Sequence, residues 1–216
     1  MDNSTVKTYV DALSAQKSQL QGYVTRGFQA IAVPASASEL ETRKKDFLTE
    51  SGVVFLVIGI AALIFGLIIG NMGVIAAASA SILSGCYVYI KGRQAMRRDA
   101  FTRLGAAIFS QIESVAAGVS AQWTSFMTRQ NDALKQSVVA DSTANAADKV
   151  AVIDKIDSTP AVKVDLNAVQ SQIQALGADE DLDSYRSYLP KAQSAITAAI
   201  DTADGAQQTI YSTIAR

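Results

Sequence analysis

Histidine is absent from this sequence, and cysteine occurs once, as Cys86. Without histidine the chain cannot form a Cys/His zinc site or a catalytic triad that relies on an imidazole base. A single cysteine cannot form an intramolecular disulfide. The sequence also lacks a glycine-rich phosphate loop and a GxSxG turn. We therefore predict that the protein is not an enzyme and has no cofactor or metal site.

Proline and aromatic residues are also scarce. There are three prolines, at positions 34, 160 and 190, and aromatic residues make up 7% of the chain, although 49% of it is hydrophobic. Proline interrupts helices, so a chain with so few prolines permits long ones. Strict alternation of apolar and polar residues, the pattern of a half-buried strand, is rare in this sequence. The predicted fold class is therefore all-α.

Charge is missing from one long stretch, residues 51–90, which contains no Lys, Arg, Asp or Glu. A helix needs about 20 apolar residues to cross a bilayer, so this stretch is long enough for two crossings. The turn-forming residues 70–73 (GNMG) divide it into a first span, 52–69, and a second span, 74–90. So short a connection leaves the two helices side by side. The stretch predicts a membrane-inserted antiparallel helical hairpin.

Basic residues border this stretch on both sides, whereas its turn is uncharged. The residues expected at the membrane interface are Arg43, Lys44 and Lys45 before the first span, and Tyr87, Tyr89, Lys91, Arg93, Arg97 and Arg98 at the end of the second. Basic residues stay on the cytoplasmic side during insertion, and tyrosines favour the headgroup level. We therefore predict membrane localisation, with the lipid bilayer as partner, both termini cytoplasmic and the turn outside.

Small residues recur at four-residue spacing in both spans. They are Ala62, Gly66 and Gly70 in the first span, and Gly73, Ala77, Ser81 and Gly85 in the second. Small residues four apart let helix backbones approach closely. Two uses remain open: the faces pack the first span on the second, or one face is left for self-association into a homo-oligomer. The spans hold no ionisable group except the Cys86 thiol, which argues against a pump or an ion-coupled transporter.

The rest of the chain predicts helices that form a cytoplasmic bundle. Residues 1–50 form N-terminal amphipathic helices, whose apolar face we expect to pack on the C-terminal helices. Residues 91–140 continue the second span as one long helix. Its apolar residues recur in steps of three and four, as in a coiled coil, at Phe101, Leu104, Ile108, Ile112, Val115, Val119, Trp123, Phe126, Leu134 and Val138.

Residues 141–216 form an acidic C-terminal helical region, which also offers a surface for a protein partner. Asp165 is predicted to cap a helix that Gly177 ends. The acidic residues at 179–183 lack the ligand spacing of a calcium loop and are interpreted as the first turn of the last helix. Residues 91–140 carry a net charge of +4, but no basic stripe is long enough to predict nucleic-acid binding.

Two classes of function fit this organisation. The first is a two-span integral membrane protein whose cytoplasmic bundle acts as an oligomeric scaffold, assembly or signalling component. The second is a protein that perforates membranes, because the plan is similar to that of helical pore-forming toxins, which also place an uncharged hairpin between long amphipathic helices. That resemblance implies a soluble form that inserts into a target membrane. An effector that perforates its own cell's membrane shares the topology of the first class.

Overall fold

The computed structural model describes residues 3–36, 39, 47–69, 72–142, 144–179 and 181–214. These residues form six α-helices and no strand, so the predicted all-α class is confirmed. The helices are α1 (Asn3–Gln29), α2 (Phe47–Ile69), α3 (Met72–Ala140), α4 (Ala146–Asp157), α5 (Leu166–Asp179) and α6 (Leu182–Ile214). The long helix predicted to continue from residue 74 to about Val139 is confirmed, because α3 runs without a break to Ala140.

The chain divides into two compact units. The bundle unit comprises Met1–Val33, Ala107–Gln172 and Asp183–Arg216, and the hairpin unit comprises Pro34–Ala106 and Ile173–Leu182. Each unit therefore collects segments that are far apart in the sequence. Helix α3 contributes its first part to the hairpin unit and its second part to the bundle unit.

In the bundle unit, α1 packs against α6, as the amphipathic pattern of α1 predicts. Lys17 Nζ lies 2.9 Å from Asp201 Oδ1 and 3.1 Å from Asp204 Oδ2. One helical turn after Lys17, Gln21 Nε2 donates to the same Asp201 Oδ1 at 3.1 Å. The buried apolar side chains of α1 recur at intervals of four or seven residues: Val6, Leu13, Leu20, Val24 and Phe28.

The second part of α3 forms the other large side of the bundle core. The buried side chains follow the predicted seam, at Ile108, Ile112, Val115, Val119, Trp123, Leu134 and Val138. Trp123 Nε1 donates to the carbonyl oxygen of Pro160 at 2.9 Å, and Asn131 Nδ2 donates to that of Ile156 at 3.2 Å. These two bonds hold the end of α4 and the connection after it against α3.

Three expectations about helix ends can be compared with the structure. The Asp165 side chain accepts from the Asn167 amide at 2.9 Å, so the predicted cap of α5 is confirmed. The prediction that Gly177 ends α5 is wrong, because the helix continues through it to Asp179. A glycine costs a helix only about 1 kcal/mol, and this turn is buried together with Leu176. The prediction that the acidic residues at 179–183 form the first turn of the last helix is wrong for Asp179, which ends α5; α6 begins at Leu182 with Asp183 in its first turn. Pro190 lies inside α6.

Candidate functional site

The surface of the hairpin unit is apolar to an unusual degree. Two helices are long and apolar enough to cross a membrane, by length and composition: Glu50–Ile69 of α2, and α3, whose most apolar window lies in its first part. Of the most apolar 18-residue segment of each helix, 12% is buried in α2 and 11% is buried in α3. The exposed large side chains of this region are Val53, Val54, Phe55, Val57, Ile58, Ile60, Ile64, Phe65, Leu67, Ile68, Ile69, Met72, Leu83, Tyr87 and Ile90. A core helix of a soluble protein has the opposite distribution.

The two helices touch through glycines, with backbone against backbone. A Cβ atom added to Gly52 would lie 2.6 Å from the Tyr89 amide nitrogen, and one added to Gly85 would lie 2.8 Å from that of Leu56. A Cβ added to Gly59 would lie 3.0 Å from the Ile82 amide nitrogen. No side chain fits these three positions unless the helices move apart.

The order of these contacts is that of antiparallel helices in constant register. From Gly52 to Leu56 and then Gly59 the chain advances by four and three residues, while the partners on α3 step back by four and three, from Tyr89 to Gly85 and Ile82. Ser81 Oγ adds a hydrogen bond across the interface, to the carbonyl oxygen of Phe55 at 3.2 Å.

The buried small residues of the interface repeat every seven positions. They are Gly52 and Gly59 on α2, and Ala78 and Gly85 on α3. Seven residues are about two helical turns, so residues at this spacing return to the same side of a helix. The sequence analysis singled out four-residue spacing and missed Gly52, Gly59 and Ala78. The recurrence of glycine at 52, 59 and 66 was the signal that could have found them.

The small residues that the four-residue spacing placed in a helix contact therefore differ in burial. Gly85 lies in the contact, and Ala62 and Ser81 are half-buried. Gly73 and Ala77 are exposed on α3. Gly66 belongs to α2, and Gly70 lies outside the described residues.

The predicted membrane-interface residues at the end of the second span lie on one short segment of α3. Lys91, Arg93, Arg97 and Arg98 are all exposed. Lys91 Nζ lies 5.9 Å from the ring centroid of Tyr87, within the range of a cation–π contact. Tyr89 is half-buried against Gly52 instead. The predicted interface residues Arg43, Lys44 and Lys45 lie outside the described residues.

A second feature, in the bundle unit, is a buried polar layer on α6 formed by Asp204, Gln207 and Tyr211. The hydrogen bonds that Lys17 donates to the Asp201 and Asp204 carboxylates raise the pKa of Lys17, and burial raises the pKa of Tyr211. The Gln207 amide lies close enough to Tyr211 to offset that shift in part, but the two form no hydrogen bond of normal geometry. Both amide atoms of Gln207 lack a partner within the described residues.

The described part of the chain contains no cluster of three or more Cys, Asp or Glu side chains able to hold a metal ion. No protein-family model, curated protein or solved structure matches this chain. Function therefore rests on the residues and contacts described above.

Proposed function

We propose that this chain is an integral membrane protein that crosses the bilayer twice, through α2 and the first part of α3. Its bundle unit lies in the cytoplasm and acts as an oligomeric scaffold, assembly or signalling component. The observation that carries the proposal is the low burial of the two spans, 12% and 11% of their most apolar windows. Water disfavours each exposed Å² of apolar surface by about 25 cal/mol, whereas lipid does not. Extended exposed apolar surfaces mark contact with a membrane or a partner.

The helix lengths agree with the thickness of a bilayer. Helix α2 has 23 residues, and at about 1.5 Å per residue it is about 34 Å long. The part of α3 from Met72 to Ile90 is about 28 Å long on the same basis. The hydrocarbon core of a bilayer is about 30 Å thick.

The backbone and two serine side chains inside the spans are satisfied within the protein, as a bilayer requires. The backbone is helical throughout both spans. Ser79 Oγ donates to the carbonyl oxygen of Ile75 at 2.9 Å, and Ser81 Oγ donates to that of Phe55 across the interface. Close backbone approach through glycine and alanine is also the usual way in which helices associate in lipid.

The topology follows from charge. The segment after Ile90 is basic and the turn between the spans is uncharged, so the positive-inside rule places both ends of the hairpin in the cytoplasm. In the bundle we propose coiled-coil packing along α3, since Ile108, Ile112, Val115 and Val119 are buried at steps of three and four.

Self-association in the membrane is supported by the small residues that the hairpin contact leaves exposed. On α3 these are Gly73, Ala76, Ala77, Ala80 and Ser84. They give a second helix a surface that its backbone can approach closely. We propose that this face forms the homo-oligomer.

The test is a flotation experiment with an alkaline wash, on protein expressed without detergent. The expected result is that the chain floats with the bilayer and resists extraction. Recovery as a folded, soluble helical monomer would contradict the proposal and favour the pore-forming alternative. That alternative requires the apolar hairpin to be covered in a soluble form, and the low burial of both spans argues against it.

A further inference from the structure

Four basic residues follow the second span on two sides of α3. We call Lys91, Arg93, Arg97 and Arg98 the basic collar. All four are exposed. Successive helical residues are about 100° apart, so Lys91 and Arg98 lie on one side of α3, and Arg93 and Arg97 lie on roughly the opposite side. The collar occupies about 10 Å of the helix axis.

The position of the collar matches a layer of lipid headgroups better than the surface of another protein. A bilayer has about 5–8 Å of polar headgroup region on each side of its hydrocarbon core. The collar begins where the lipid-facing surface of α3 ends, directly after the exposed side chain of Ile90. A headgroup layer surrounds a helix on every side, whereas a protein partner covers one face.

The sequence around the collar is also basic. Positions 91–103 hold five basic residues and one acidic residue, Asp99. Arginine side chains suit phosphate in particular, because the planar guanidinium donates two parallel hydrogen bonds to its oxygens.

We propose that the basic collar binds anionic phospholipid headgroups and enriches lipids of net negative charge around α3. This inference rests on the proposed membrane insertion of the hairpin. It goes further by naming the chemical class of lipid that the protein selects. A basic residue near an anionic surface contributes about 1 kcal/mol, which corresponds to about a fivefold preference for each residue that meets a headgroup.

The experiment uses Cys86 as a reporter, since it is the one cysteine of the chain, is exposed, and precedes Lys91 by about 8 Å along the helix. The full chain carries a fluorophore on Cys86 and is reconstituted in phosphatidylcholine vesicles with a minor fraction of phosphatidylglycerol. Bromine is placed on the acyl chains of one lipid or the other. Because the two leaflets have the same composition, the orientation of the protein does not affect the readout.

The wild-type chain should be quenched at least fivefold more effectively, per molecule in the bilayer, by the brominated anionic lipid than by the brominated neutral lipid. Replacing all four collar residues with Gln should abolish the preference, whereas Arg93→Lys, Arg97→Lys and Arg98→Lys together should retain most of it. In 1 M salt, where the screening length falls to about 3 Å, the wild-type preference should fall sharply.

The matched control replaces four exposed basic residues of the bundle unit with Gln: Lys7, Arg129, Lys155 and Lys163. It changes the net charge equally and should retain the preference. Equal quenching of the wild type by both lipids would overturn the inference while leaving membrane insertion intact. A collar variant that keeps its lipid preference but loses self-association would overturn it too, in favour of a protein partner. No quenching by either lipid would contradict membrane insertion itself.

Discussion

The hairpin unit and the bundle unit contain similar residues but use them in opposite ways. Of the large apolar side chains that are exposed among the described residues, those of the bundle unit are Val139 and Val150, and all the others lie between positions 53 and 90. In the bundle, Leu, Ile and Trp side chains fill the core. In the hairpin, glycine and alanine form the contact, and the large side chains point outward.

The difference follows from the solvent that each unit would meet. In water, burying large apolar side chains is the main favourable term in folding. In lipid that term vanishes, because the surrounding chains are as apolar as leucine, and helices associate through close backbone packing instead. The four predictions below test this contrast between the two units, from the largest expected effect to the smallest.

Truncating the largest buried side chain should damage the bundle most. Trp123 is 1% exposed and donates to the Pro160 carbonyl oxygen, so Trp123→Ala should lower the free energy of unfolding by about 3–5 kcal/mol. The matched change in the hairpin is Phe65→Ala, at a side chain that is 59% exposed, and it should cost less than about 1 kcal/mol in lipid. Denaturant unfolding followed by far-UV circular dichroism measures both. Equal losses would mean that Phe65 lies in a core.

The same glycine-to-alanine change should have opposite signs in the two units. Gly85→Ala places a methyl group 2.8 Å from the Leu56 amide nitrogen, so overpacking should weaken the hairpin by about 1–3 kcal/mol. Nothing lies within 4 Å of a Cβ at Gly205, so Gly205→Ala should stabilise α6 by about 0.5–1 kcal/mol.

Hydrogen exchange in the reconstituted protein measures the first change, and thermal unfolding measures the second. Gly85→Leu should open the hairpin further, while Leu67→Ala, at an exposed position, should leave its amide protection nearly unchanged. Unchanged protection in Gly85→Ala would contradict the backbone contact.

Removing a buried polar group should stabilise the bundle slightly. Gln207 is 0% exposed, and neither polar atom of its amide is paired, which costs about 1–3 kcal/mol relative to a satisfied or apolar group. Gln207→Leu should therefore raise the free energy of unfolding by about 1 kcal/mol. Gln208→Leu is the control: its amide donates to Asp204 Oδ2 at 3.0 Å, so its replacement should bring no gain. A loss of stability in Gln207→Leu would show that the amide has partners.

Alkaline pH should loosen the bundle while leaving the hairpin contact in place. The pKa values of Lys17 and Tyr211 are raised in the folded chain. A raised pKa means that the folded state keeps its proton to a higher pH than the unfolded state does. The stability that this proton contributes is therefore present below the pKa of the unfolded state, and it is lost as the pH rises through about 10 and beyond.

Circular dichroism of the reconstituted protein between pH 8 and pH 11.5 measures this small effect, and Lys17→Met should reduce its slope. The control is hydrogen exchange in the hairpin, whose contact residues Gly52, Gly59 and Gly85 do not titrate. A bundle whose stability is constant over this range would refute the prediction.

The sequence was informative where apolar periodicity is strong. The uncharged stretch predicted where α2 ends, and the seam at Ile108 to Val138 predicted the continuation of α3. The amphipathic pattern in residues 1–50 predicted packing on the C-terminal helices, which α1 shows in its contact with α6. Each of these features depends on many residues that repeat one pattern.

The hairpin interface was less predictable, because the second span is rich in small residues on several faces. Ala77 and Ala78 are neighbours of equal size, yet Ala77 is exposed and Ala78 is buried. The rotation of α3 is set by its partner, where Gly52 and Gly59 admit the backbone at Tyr89 and Ile82. A pairwise contact of this kind cannot be read from one helix alone. Gly177 does not end α5, because the burial of this residue outweighs the low helix propensity of one glycine. Burial of this kind also depends on other parts of the chain.

The most direct test of the central claim compares two exposed apolar positions, one in each unit. Phe65 on α2 is 59% exposed and Val139 on α3 is 62% exposed. In a Cys86→Ser background, Phe65→Cys and Val139→Cys each carry a nitroxide spin label in the reconstituted protein. Insertion of the hairpin predicts that the label at 65 collides mainly with oxygen, which dissolves in lipid, and the label at 139 mainly with a water-soluble nickel complex. Equal access of the nickel complex to both labels would contradict a hairpin in the bilayer.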